Sequence, residues 1–144
     1  MAMLAQLMVG VVASICSITV HSFMMAVVLK VARSHTGIHK YSSISLSWIM
    51  SSAVCVLMAA HALEVMIWAV IYKAAGVGPA GSDLLYFAFV NYTTLGYGDI
   101  IPAERWRLLG PAAAMNGILL FGWSTAVIFE ILRRTLIRMD AAMH

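Results

Sequence analysis

The sequence predicts an all-α membrane protein: three spanning helices, plus one shorter helix that enters and leaves on the same side. Three observations carry that prediction. The chain is 62% hydrophobic and only 10% charged, with mean hydropathy +0.92. A soluble domain averages about 45–50% apolar and about 25% charged residues. Residues 1–29, 41–63 and 108–129 contain no Asp, Glu, Lys or Arg, and each run exceeds the ~20 residues that cross about 30 Å of hydrocarbon. Between the last two runs, the apolar stretch from Asp83 to Val90 is too short to span.

The first run is expected to be a retained helix. Its start, "MAMLAQLMVG", lacks the positive charge of a cleaved leader, and the run is far longer than a leader's apolar core. His21 within it reads as a packed or hydrogen-bonded polar residue rather than a ligand. Cys16 and Cys55 fall inside predicted spans with no metal-ligand spacing, so they read as buried free thiols. The net charge of +3 does not suggest a nucleic-acid partner, because the basic residues cluster at span ends.

Those residues set an orientation instead. Lys30, Arg33 and Lys40 precede the second span, and Arg133, Arg134 and Arg138 follow the third. Lys73, Arg105 and Arg107 lie between the second and third spans. The positive-inside rule then puts the first loop and the C-terminus in the cytoplasm and the N-terminus outside. Trp48 and Trp68, with Tyr41 and Tyr72 beyond them, are spaced to mark the two interfaces of the second span, about 30 Å apart on a helix. Ordinary packing is the alternative for each of these four aromatics.

In the stretch 73–107, Ser82 reads as a helix N-cap with Asp83 in the first turn, where orphan N–H groups and the helix dipole favour them. The helix that follows is re-entrant. Backbone of that kind is tolerated only when it is buried in protein or lines a wet cavity. It leads into "TTLGYGD", Thr93 to Asp99, a polar segment with two glycines flanking a tyrosine.

"YTTLGYGD" resembles the selectivity filter of the potassium-channel family, whose usual form is T-T-V-G-Y-G-D. The order of outer helix, short pore helix, filter, Pro102, the aromatic Trp106 and a glycine-bearing inner helix is similar too, over about residues 46–133. The first helix is an addition to that two-helix plan. The resemblance implies that the carbonyls of Thr94, Leu95, Gly96 and Tyr97, with the Thr94 hydroxyl, replace the water of a potassium ion, and that Gly96 and Gly98 let the backbone turn those carbonyls to one axis. One chain carries one such segment, so a closed ring implies a homotetramer. The potassium ion is the permeant species, and no cofactor is implied. Two departures stand out: Leu95 replaces the commonest valine, and Val90 occupies the position where some relatives place a glutamate that pairs with the filter aspartate. Asp99 then needs another partner, and Tyr86 is the candidate, with plain packing as its alternative.

On the inner helix, a 3.6-residue period joins Gly117, Phe121, Ser124, Ile128 and Ile131 into one stripe, which is assigned to the pore. Gly117 and Gly122 are candidates for a hinge or for close helix packing. Asn116 either lines the cavity or bonds across helices, and the second is favoured. Glu130 lies off the stripe and pairs with Arg134 at i+4. His61 and Glu64 are the ionisable residues of the second span, on one helix face. They either bond helix to helix, the simpler reading, or support the filter from behind, with Glu64 reaching Asn91 or Tyr92.

The expected organisation is therefore an added helix and cytoplasmic loop at 1–40, a pore domain at 41–134 and a short cytoplasmic tail at 135–144. No arginine ladder marks a voltage sensor. The function expected is passive potassium conduction across a cell (inner) membrane by a multi-pass protein. A non-conducting subunit of another channel is the alternative. An intramembrane enzyme built on "HALE" fits poorly, because the H-E-x-x-H pattern lacks its second histidine.

Overall fold

The computed structural model describes residues 2–34 and 43–141. Four helices follow in order: α1, Ala2–Ser34; α2, Ser43–Ala75; α3, Leu84–Tyr92; and α4, Leu109–Ala141, preceded by a single 3₁₀ turn at Glu104–Trp106. α1, α2 and α4 each have 33 residues, about 50 Å of helix, and all three are long and apolar enough to cross a membrane. The protein is thus an all-α, multi-pass membrane protein. Lys40 and Tyr41 lie outside the described residues.

α1 lies against both α2 and α4, and α3 is wedged between α2 and α4. Two apolar clusters hold this arrangement. One gathers Trp68, Tyr72, Phe87, Tyr92, Leu109 and Ala113 around α3. The other joins Met25 and Val28 of α1 to Ile49, Ala53 and Leu57 of α2 and Ile131 of α4. Outside them the chain is apolar as well: Met3, Phe23, Trp48, Met58, Val70, Ile118 and Phe129 are all largely exposed. Such a surface needs lipid or neighbouring chains against it. Cys16 and Cys55 are free and sit on this outer surface, not in the core as the sequence suggested.

Trp68 is the second correction. Trp48 is exposed, but Trp68 is wholly buried and donates its indole N–H to Asn116 Oδ1 at 3.2 Å, tying α2 to α4. Tyr72 is buried too, and its hydroxyl donates to the Leu109 carbonyl. Both rings pack inside the protein, so neither marks the membrane interface. A buried Trp or Tyr needs a partner for its polar end, and here the inner helix supplies it.

The ends of α2 and α3 follow local rules. α2 closes with Gly76 at φ +63, Val77 N–H on the Tyr72 carbonyl and Gly76 N–H on the Lys73 carbonyl, the pattern of a Schellman cap. The N-cap of α3 is Asp83 rather than Ser82: its Oδ1 accepts from Leu85 N and Tyr86 N, while the Ser82 hydroxyl donates back to Pro79. A carboxylate accepts charge-assisted bonds from the orphan N–H groups, so the cap falls one residue later than expected.

The buried face of α4 runs through Leu109, Gly110, Ala113, Asn116, Gly117, Leu120, Ser124, Ile131 and Thr135. This overturns the pore assignment of Gly117, Ser124 and Ile131. Gly117 abuts α3, where an added Cβ would collide with the Tyr92 carbonyl oxygen; Ser124 bonds to α2 and Ile131 packs against α1 and α2. Phe121 and Ile128 sit at the margin of the same face, partly exposed. The cause is size: small residues let α4 approach α3 closely, so the stripe marks packing within the chain. Gly122, by contrast, has open space where its Cβ would be. Gly117→Ala should therefore lower the thermal midpoint of the assembled protein, by a loss of about 1–3 kcal/mol per chain, while Gly122→Ala leaves it within error. Equal midpoints for the two variants would remove the close approach of α3 and α4.

Candidate functional site

α3 ends where the polar segment begins. Thr93 caps it, its hydroxyl donating to the Phe89 carbonyl at 2.7 Å, and Thr94 N–H and Gly96 N–H return to the carbonyls of Asn91 and Val90. The chain beyond is therefore anchored to the last turn of α3, whose carbonyl end carries partial negative charge.

From Thr94 to Gly98 the backbone alternates. Thr94, Gly96 and Gly98 have φ of +63, +57 and +75, and Leu95 and Tyr97 between them do not share that sign. In an extended strand successive carbonyls point to opposite sides. A positive φ at every second residue departs from that strand geometry. The glycines are needed for the dihedral and not for room, since no atom lies within 4 Å of an added Cβ at Gly96 or Gly98. Thr94 is the one non-glycine residue with positive φ among those described, and it bears the steric cost of that conformation.

Leu95 and Tyr97 project from this segment with 57% and 66% of their surface exposed. Behind it lies a cavity of about 240 Å³ bordered by Val90, Asn91, Gly96, Gly98, Asp99 and Ile100. Val90 is buried at its rear and offers no polar group. Asp99 finds its partner elsewhere: the Tyr86 hydroxyl donates to Asp99 Oδ2 at 2.7 Å, and Ile100 N–H reaches Oδ1. The bond to Asp99 holds the Tyr86 hydroxyl above the usual tyrosine range, because ionised tyrosine cannot donate it.

A second polar cluster lies just before the segment, where all four helices meet. Glu64 of α2 is fully buried; its Oε1 is 2.7 Å from His21 Nδ1 of α1 and its Oε2 is 3.0 Å from His61 Nδ1. Tyr92, the last residue of α3, donates its hydroxyl to the same carboxylate. His61 Nε2 is 2.9 Å from Ser124 Oγ of α4. Phe121 packs on His61 and Tyr92, and Trp123 on His21. Glu64 thus touches both His61 and Tyr92 but not Asn91, whose amide donates to the Phe87 carbonyl. His21 belongs to this cluster, which the sequence reading did not connect. The signal was available: buried ionisable groups in membrane spans seek one another, and His21 is the ionisable group of the first span.

At the other end of α4, Glu130 pairs with Arg133 as well as with Arg134.

A family model described as "Ion channel" matches residues 60–134, from the middle of α2 through α3 and the polar segment to near the end of α4. Neither a curated protein nor a solved structure matches the chain. The match covers more than half the sequence, including α3, "TTLGYGD" and the parts of α2 and α4 beside them. The chain belongs to the two-helix ion-channel family that includes potassium channels.

Proposed function

We propose that this ion channel is selective for potassium and is built from four chains, each giving one copy of "TTLGYGD" to a central filter. The observation that carries the proposal is the alternation of φ along Thr94–Gly98 at the end of α3. A dehydrated potassium ion needs a stack of oxygen ligands, and the carbonyls of Thr94, Leu95, Gly96 and Tyr97 can form it. Four copies around one axis also cover Leu95 and Tyr97. On this reading Asp99 and Tyr86 brace the outer mouth, and Glu64 steadies the filter from behind through Tyr92. The pore unit is 41–134, with α1 packed outside it; the N-terminus faces outward and the basic end of α4 the cytoplasm, in a cell membrane.

The test is ion flux from liposomes that contain only this protein. Potassium should move far faster than sodium, with reversal potentials that follow the potassium gradient. Equal reversal potentials for the two ions would refute the proposal.

The outer mouth gives a second test. Ile101 follows the filter aspartate by two residues and is 67% exposed. An aromatic ring there would face a cation arriving from outside. Ile101→Tyr should strengthen block by external tetraethylammonium about tenfold, consistent with about 0.5–2 kcal/mol for a cation over a ring. An unchanged blocking concentration would mean that residue 101 does not face the entrance.

A further inference from the structure

We propose that His21, His61 and Glu64 form a binding site for a divalent transition-metal ion of the zinc class. One ligand atom from each of the three lies within 4.8 Å of the others. Two imidazoles and a carboxylate suit zinc, cobalt or nickel, whereas calcium and magnesium favour oxygen ligands alone. Tetrahedral ligands at about 2.0–2.1 Å from zinc stand roughly 3.3 Å apart. The His61 Nδ1–Glu64 Oε2 contact of 3.0 Å therefore needs to open by only about 0.3 Å, while the 2.7 Å contact of His21 Nδ1 is to the other carboxylate oxygen, Oε1.

Three further observations point to an ion. Glu64 is wholly buried at membrane depth, where a carboxylate needs a cation beside it, and a metal ion meets that need. The second nitrogen of His61 is held by Ser124 Oγ at 2.9 Å. Metal-binding histidines are fixed in this way, with the outer N–H donating while the inner lone pair faces the ion. Finally, His21 Nε2 is buried and has no hydrogen-bond partner among the described residues, so this imidazole can meet an ion through Nε2 while its Nδ1–H stays on Glu64. The Tyr92 hydroxyl lies on the same carboxylate, 3.1 Å from His61 Nδ1. His61, with 13% of its side chain exposed, gives the way in. An ion there would tie α1 to α2 one hydrogen bond from the residue that leads into "TTLGYGD".

The test uses the full-length assembled protein in detergent, stripped with a chelator and titrated with cobalt(II) alone, then with zinc. Binding is read by visible absorption and by metal content per chain. The wild type should take up one ion per chain at this site, with the intense absorption of four-coordinate cobalt, and zinc should displace it. His35, His39 and His144 supply other imidazoles, so the site is identified by difference. His21→Gln and Glu64→Gln should each lose that one ion and the absorption. Ser124→Ala, a milder change, should weaken binding about tenfold. The readout does not depend on conduction, so it stands or falls apart from the channel reading. Wild-type protein without the four-coordinate signal would overturn the proposal, as would variants that bind as the wild type does.

Discussion

Gly96→Ala should abolish selective potassium flux while the assembly stays intact. The residue has φ +57 and open space around its Cβ position, so alanine meets no clash. It meets only the backbone cost of a left-handed conformation, about 1–2 kcal/mol per chain and therefore about 4–8 kcal/mol around a ring of four. That is enough to let the backbone leave the alternating pattern, and the carbonyls of Leu95 and Gly96 would then turn away from the axis. The potassium-to-sodium permeability ratio should fall toward one, or the current by at least tenfold. Gly81→Ala is the control. Gly81 has φ +83 and equally open surroundings, but it lies on the outer turn before α3; its replacement should carry a similar strain and leave selectivity alone. If Gly96→Ala matched the wild type, the assignment of "TTLGYGD" as the filter would fall.

The second large effect is expected at Glu64. Glu64→Ala removes the acceptor shared by His21, His61 and Tyr92, leaving three polar side chains at membrane depth without it. Each buried donor left without its acceptor costs about 1–3 kcal/mol. The thermal midpoint of the purified protein should drop steeply in Glu64→Ala and less in Glu64→Gln, whose amide still offers one acceptor. Tyr92→Phe loses a single donor and should cost least, about 1–3 kcal/mol. Glu64→Gln should still assemble, and it should alter the stability of the open state or its dependence on pH. A Glu64→Ala protein that melts like the wild type would show that the cluster does not hold the four helices together.

Much of this architecture was legible because hydrocarbon is an exacting solvent. Length and lack of charge alone pointed to three spans, and α1, α2 and α4 correspond to them. The short helix and the glycine pattern that follows it could be read for the same reason: backbone at membrane depth has few permitted forms. What could not be read was the direction in which each helix faces. α4 is apolar on nearly every side, so a 3.6-residue period through Gly117, Ser124 and Ile131 identifies a face without saying what lies against it. The better signal was residue size, since Gly110, Ala113 and Gly117 mark where another helix comes close. Trp68 was misread on the same ground, because span length suggested an interface where Asn116 in fact waited inside the protein. The union of His21 with Glu64 required knowing that α1 packs on α2, and no local pattern states that. The shift of the cap from Ser82 to Asp83 lies within what neighbouring cap residues leave open.

The bond from Ala103 N–H to the Val77 carbonyl, 2.8 Å long, closes the segment holding α3 and "TTLGYGD" into a loop at its base. Extra chain inside a closed loop is charged only logarithmically, about 0.6 kcal/mol for each doubling of length. The two halves of this loop answer that rule differently. Residues 78–82 form the exposed turn ahead of the Asp83 cap, where added length can bulge away from the protein and leave the clasp and helix in place. Residues 94–99 are tied at one end to the last turn of α3 and at the other by the Tyr86–Asp99 bond, and an inserted residue would put the positive φ of Thr94, Gly96 and Gly98 out of step. Length variation should therefore be tolerated on the rising limb of the loop and excluded from the descending one.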